Sequence, residues 1–259
     1  MSFARREYRT PPLKILAGVV ILGCLSACAV PGPGDAPDGI YDPQEPANRR
    51  VHAFNKSVDR ALGGGGGGSG LGSLPEPVKA GVGNVADTLS LPNTVVNQIL
   101  QARIGRATRN TLRFAVNATV GVAGLFDVAG ALGLPEDDSD FGETLHVWGL
   151  PEGAYMELPV LGPSTERDAV GKVADLFLDP LRYVIPTPER YYGTAVKVAD
   201  KAIGRSAMGG TVDSVLYGSA DSYAQLRVIY LQNRRFELGD ETAAEADYID
   251  PEALDTEGF

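Results

Sequence analysis

The sequence predicts an all-α fold, a bundle of amphipathic helices lying in or on a membrane, with irregular, turn-rich segments between them. Apolar residues recur at three- and four-residue spacing over most of residues 47–232, the mark of helices with one apolar face. Serial segments of about ten alternating apolar and polar residues are missing, which disfavours a membrane β-barrel. Glycine and proline, 32 and 18 of 259 residues, punctuate the helical stretches. Composition excludes several functions. Against 33 acids stand only 23 Lys and Arg, a net charge of -10, with no basic surplus to neutralise nucleic-acid phosphates. Two Cys and two His leave no disulfide-dense scaffold and no Cys-rich zinc module.

Residues 1–27 read as an export signal. Arg5, Arg6, Arg9 and Lys14 against Glu7 give this segment +3, so the remainder stands at -13. The apolar run from Ile15 to Leu25 is shorter than the roughly 20 residues of a spanning helix and fits a signal core. It ends in Leu25-Ser26-Ala27-Cys28, which looks like a lipobox. Cys28 is then the lipidation site, Cys24 leaves with the signal, and no disulfide forms within one mature chain. No Asp follows Cys28, so delivery to the outer membrane is expected, with the domain on the periplasmic side.

Residues 28–46, rich in Pro, Gly and Asp, read as a tether. A domain over 47–236 follows. Its first helix, 47–62, carries Val51, Phe54, Val58 and Leu62 on one side. Residues 63–70 are a Gly-rich linker, whose formal GxGxxG pattern has no strand before it and carries no dinucleotide reading. Pro75-Glu76-Pro77 opens the next helix, with Val78, Val82, Val85 and Leu89 in register. Pro92 is expected to end it. A second helix from Asn93 gathers Val96, Leu100 and Ile104 on one arc and Arg103, Arg106, Arg109 and Arg113 on the opposite one. That stripe reads as a solvated face or as a surface for anionic head groups or an acidic partner.

Residues 114–134 hold a single charge, Asp127, among many small residues. Their composition fits burial in protein and immersion in membrane equally. Residues 136–140 are acidic. Read as a calcium loop from Asp137, they put Gly142 correctly at the sixth position but Phe141 and Trp148 where ligands belong, so a solvated loop is expected. A turn-rich stretch follows, then a helix capped by Ser164 with Val170, Val173, Ala174, Phe177 and Leu181 inward. Further helices are expected over 189–203 and 208–232, and an acidic tail over 237–259.

Nucleophile-elbow, HExxH and Walker patterns are missing, and His52 and His146 stand apart, so neither catalysis nor a cofactor or metal is expected.

Many residues in register resemble the MlaA (VacJ) family of phospholipid-transport lipoproteins. They begin with Asp42-Pro43-Gln44-Glu45, Asn48-Arg49 and Phe54-Asn55. They run on through Pro75-Glu76-Pro77, Arg113-Phe114, Asn117 and Gly124-Leu125-Phe126-Asp127. The most specific group is Asp140-Phe141-Gly142-Glu143-Thr144-Leu145 with Trp148-Gly149 and Leu161-Gly162-Pro163-Ser164. The resemblance implies a ring-like helical protein in the outer membrane beside a porin trimer. It implies that mislocalised phospholipid leaves the outer leaflet through an amphipathic channel and passes to a periplasmic lipid carrier. On that reading Phe141, Gly142 and Trp148 shape the turn-rich region, and Asn48, Asn117 and Asp127 are polar candidates along the lipid path. The chain departs from the family at Ala47, where an aromatic is usual, and at residues 63–70, usually an apolar connection. The other class of function compatible with these features is a structural envelope lipoprotein, or a porin scaffold that moves no lipid.

Overall fold

A computed structural model describes residues 36, 39–65 and 70–239. The signal over 1–27, the lipidation site Cys28, most of the tether, residues 66–69 of the Gly-rich linker and residues 240–259 of the tail lie outside the described residues.

Helix α1 (Glu45–Ala61) places Glu45 and Pro46 in its first turn, where a negative charge and a missing N–H are both favourable. It buries Asn48 and His52. Of its apolar residues Val51 and Val58 are half-buried, while Phe54 is 51% exposed, as is Leu62 just beyond the helix at 70%. Helix α2 (Glu76–Leu100) continues through Pro92. The expected break there does not occur, because each half is held by a neighbour. Leu89 and Gly83 approach helix α8 (Glu189–Ala207) at Gly193 and Asp200, and Gln98 bonds Asn110 of helix α3 (Ile104–Thr119). The chain turns instead at Ala102, whose φ is 59°.

Residues 114–134 do not form one long helix. They hold the last turns of α3, a reversal with positive φ at Val122, Ala123 and Gly124, and the short helix α4 (Val128–Ala131). A Cβ on Gly124 would meet the Thr88 side chain at 2.7 Å, so the reversal requires glycine where it rests on α2. Val120, Phe126 and Leu132 stay 58–69% exposed. Among the described residues, no helix is long and apolar enough to cross a membrane.

The acidic loop is bonded rather than merely solvated. Asp140 caps helix α5 (Phe141–Val147) by accepting the Glu143 N–H at 2.7 Å. The turn-rich stretch contains a hairpin, β1 (Tyr155–Leu158) antiparallel to β2 (Gly162–Thr165), with Tyr155 opposite Thr165. Helix α6 (Glu166–Leu178) is capped by Thr165, one residue beyond the expected Ser164. It buries Ala174 but leaves Val173 54% and Phe177 51% exposed. Helix α7 (Leu181–Val184) leads to α8. The expected helix over 208–232 is interrupted: α9 (Gly209–Asp213) runs into a π-turn (Ser214–Gly218), and α10 (Ser222–Glu237) starts afresh under the Asp221 cap. Glu237 thus belongs to α10 and not to a tail.

The interior inverts the usual partition. Two small apolar clusters exist, Phe141–Leu145–Ala174 and Tyr155–Tyr223–Leu231. Between them the fully enclosed side chains include Asn97, Gln98, Asn110 and Thr144, each 0% exposed.

Candidate functional site

A half-open cavity of about 1510 Å³ lies among the helices. Helix α2 contributes Asp87, Leu89 and Asn93, and the start of α3 adds Arg103 and Arg106. From α6 come Lys172, Val173, Asp175 and Leu176, and from α8 Lys197 and Lys201. Leu158 and Leu161 of the hairpin, with Leu181 and Ile185 beyond α6, supply further apolar lining. This lumen is amphipathic: carboxylates, amines and amides stand beside strips of leucine, isoleucine and valine.

Its wall is fixed by a buried hydrogen-bond network. The Asn93 and Asn97 amides both donate to Asp175 at 2.9 Å, and the Phe141 N–H donates to the same carboxylate at 3.1 Å. The Thr144 hydroxyl donates to Asn97 Oδ1 at 2.9 Å, and Asn110 donates to Gln98 at 3.0 Å. One carboxylate thus joins α2, α5 and α6. Burial pushes the Asp175 carboxyl above its ordinary range even against these three donors. At the α5–α6 crossing a Cβ on Gly171 would lie 2.4 Å from the Gly142 nitrogen, so both positions need glycine for the helices to touch.

The arginine stripe finds its acids within the chain. Arg103 pairs with Glu143. Arg106 holds both Asp137 oxygens through Nε at 2.8–2.9 Å, and Arg109 approaches Asp137 at 3.7 Å. Arg113, only 3% exposed, donates to the Leu134 carbonyl and to Asp127. The stripe expected as a head-group or partner surface is thus ion-paired within the chain. Arg113 is interior, and only Arg103 and Arg106 reach the lumen.

The six lipid-path candidates, Asn48, Asn117, Asp127, Phe141, Gly142 and Trp148, do not line this cavity. Asn48 donates to Asp42 and to the Tyr155 carbonyl and accepts the Glu157 N–H, splicing α1 to β1. Asn117 donates to Asp127 at 2.9 Å and accepts the Ala129 N–H, while Asp127 caps α4. Phe141 and Trp148 meet edge to face at 5.7 Å, and the Trp148 N–H donates to the Leu100 carbonyl. Gly142 sits at the α5–α6 crossing. These side chains hold the ring together.

The lumen residues Asp87, Lys172, Lys197 and Lys201 escape a search for motifs. Their only sequence signal is a charge inside an otherwise apolar helical pattern, as at Asp87, or a lysine pair four residues apart, as at 197 and 201. Burial raises the Asp87 carboxyl to about 6, with Glu136, Asp200 and Asp138 adding to the rise. Burial lowers Lys172 and Lys197.

The model of the MlaA lipoprotein family matches residues 40–237. The chain belongs to that family. The match starts beside Tyr41, whose carbonyl accepts the Tyr155 N–H, and ends at the last residue of α10. Among relatives of this MlaA-family chain, an uncharacterized protein of Rickettsia felis is 34% identical over 194 residues, 73% of this chain and 74% of its own. The intermembrane phospholipid transport system lipoprotein MlaA of Escherichia coli is 28% identical over 225 residues, 85% of each chain. Its namesake in Haemophilus influenzae is 26% identical over 231 residues, 87% of this chain and 89% of its own. A solved structure described as the structural basis for maintenance of bacterial outer membrane lipid asymmetry superposes with a TM-score of 0.61 at 27% identity. The superposition covers 76% of this chain and 98% of that one.

Proposed function

We propose that the chain is a passive conduit that removes mislocalised phospholipid from the outer leaflet of the outer membrane. The lipid passes through the lumen to a periplasmic lipid-carrier protein, and the protein is held to the membrane by acyl chains on Cys28. The observation that carries this reading is the amphipathic lumen inside an inverted shell. A phospholipid needs polar groups for its head and apolar surface for its chains, and burying either in the wrong surroundings is costly. Val173, Leu176, Leu181 and Ile185 offer the one surface, and Asp87, Lys197 and Arg106 the other. Outside, Phe54, Val120, Phe126 and Leu132 give an apolar exterior suited to lipid or to a porin trimer. The E. coli and H. influenzae relatives, named for phospholipid transport, support the same reading. No bond is made or broken, so no catalytic group or cofactor is assigned.

The test is lipid transfer. The lipidated protein is placed in vesicles containing a labelled phospholipid and a soluble periplasmic carrier is added. Label should reach the carrier only when the protein is present. Transfer no faster than from bare vesicles would leave a structural scaffold as the better reading.

A further inference from the structure

Most of the buried arginines in this fold are held by opposite charges. Arg103 has Glu143, Arg106 has Asp137, Arg205 has Asp59 and Asp213, Arg227 has Asp42 and Glu45, and Arg234 has Asp140 and Asp168. All these cations are arginines, whose planar fork suits fixed bidentate pairing. Part of the cavity wall differs, for beside the paired Arg103, Arg106 and Arg234 it carries charges of both signs without such partners. The carboxylates of Asp87 and Asp138 line it with no ion pair or hydrogen bond among the described residues, and so do the amines of Lys197 and Lys201. Lys172 lines it too and reaches only uncharged oxygens, the Ser164 hydroxyl at 3.1 Å and the Pro163 carbonyl at 3.4 Å. The acids come from α2 and the loop before α5; the lysines come from α6 and α8.

Keeping like charges together in one cavity is unfavourable. The acids feel one another, since burial and then neighbouring carboxylates push Asp87 and Asp138 upward. Burial lowers Lys172 and Lys197, with Lys201 adding to the fall and the carboxylates of Asp168 and Asp140, for Lys172, and of Asp179, for Lys197, opposing it. A cavity that leaves carboxylates and amines without ion pairs on its wall presents a complement for a ligand carrying both signs. A lysine amine, a compact point charge on a flexible stem, suits a phosphate that arrives and leaves.

We propose that the lumen holds a head-group site for zwitterionic phospholipids, the amine resting against Asp87 and Asp138 and the phosphate against Lys197, Lys201 and Lys172. The site rests on the lipid passage proposed above. An anionic head group would satisfy the lysines but leave the carboxylates uncompensated and repelled. The cavity exceeds the roughly 300–1,000 Å³ of an ordinary small-molecule pocket, leaving room for a head group together with the start of its chains.

The experiment uses the full lipidated chain, incubated with vesicles of equal phosphatidylethanolamine and phosphatidylglycerol, re-isolated in detergent and its retained lipids quantified by mass spectrometry. The wild type should retain the ethanolamine lipid over the glycerol lipid by about tenfold, the size of one charge-assisted contact. Asp87→Asn with Asp138→Asn should bring the ratio to about one, while Asp87→Glu, which keeps the charge, should preserve it. Lys197→Gln with Lys201→Gln should lower retention of both lipids severalfold. Circular dichroism checks that each variant remains helical. A wild type without preference, or a double-Asn variant that keeps it, would overturn the head-group site while leaving the passage standing. Retention of no phospholipid at all by the folded wild type would overturn both.

Discussion

Two regions of this molecule treat charge in opposite ways. Where α6 meets α10, Asp168 is 3% exposed and accepts the Tyr230 hydroxyl at 2.5 Å and Arg234 through two nitrogens at 3.1 Å. Arg234 also reaches the Asp140 cap of α5 at 2.7 Å. Across the lumen, between α2 and α8, Asp87 and Lys197 have no such partners among the described residues. The first region spends its polar groups on rigidity, since buried charges left unpaired are costly. The second leaves them open. Both meet at the same cavity, whose wall includes Arg234 and Asp140 as well as Asp87 and Lys197, so one part of the wall is fixed by its pairs and another is left open.

The strongest way to break the comparison is at the paired end. Asp168→Ala leaves Arg234 and Tyr230 without their shared acceptor, and should destabilise the protein by about 3–5 kcal/mol in chemical unfolding. A loss below about 1 kcal/mol would mean that the pairing is not what ties α6 to α10. Next is the helix crossing. Gly171→Ala puts a methyl group against the Gly142 backbone and should cost about 1–3 kcal/mol, seen as a lowered melting temperature.

The pH response should carry opposite signs in the two regions. At Asp168 burial raises the carboxyl, but Arg234 and Tyr230 outweigh it and hold the group below its ordinary value of 3.8. Its contribution is present above that value and fades as pH falls through the depressed folded value. At Asp87 the folded carboxyl is raised to about 6, so its contribution is full below 3.8 and fades as pH rises through about 6. Subtracting the Asp87→Asn melting curve from the wild type at each pH should show a stability difference that changes between about pH 4 and 6 and is flat above 7. A difference independent of pH would show that Asp87 is not buried among carboxylates as the fold places it. The smallest effect belongs to the surface, where Lys79 and Glu76 pair at 2.9 Å with Glu76 86% exposed. Lys79→Ala should change stability by less than about 0.5 kcal/mol.

The same contrast explains what was legible in sequence. Helix starts announce themselves locally, so the starts expected at 47, at Pro75-Glu76-Pro77 and after Ser164 fall within two residues of the observed boundaries. Burial does not announce itself. The spacing of Val51, Phe54 and Val58 correctly gives a helix, but Phe54 stays exposed and Val51 and Val58 only half-buried, while Asn48 and His52 are the residues the helix buries. Pro92 misleads because packing on α3 and α8 overrides a single missing N–H. The four arginines show as a stripe, but Arg106 and Asp137 are 31 residues apart, and no helical period reveals that they meet. The lumen was the least legible part. Asp87 lies on α2 and Lys197 on α8, and only the closing of the ring brings them to one cavity. Motif matches instead favoured Asn48, Asn117, Asp127 and Gly142, whose bonds and close contacts fix the ring's shape.

The central claim, that phospholipid travels inside the ring, is tested most directly by photocross-linking. The protein is reconstituted in membranes containing a phospholipid with a photoreactive group near its head, illuminated, digested and mapped. Label should fall on lumen residues such as Val173, Leu176 and Lys197 as well as on the outer shell. Label confined to outward residues such as Val120, Phe126 and Leu132 would contradict the account.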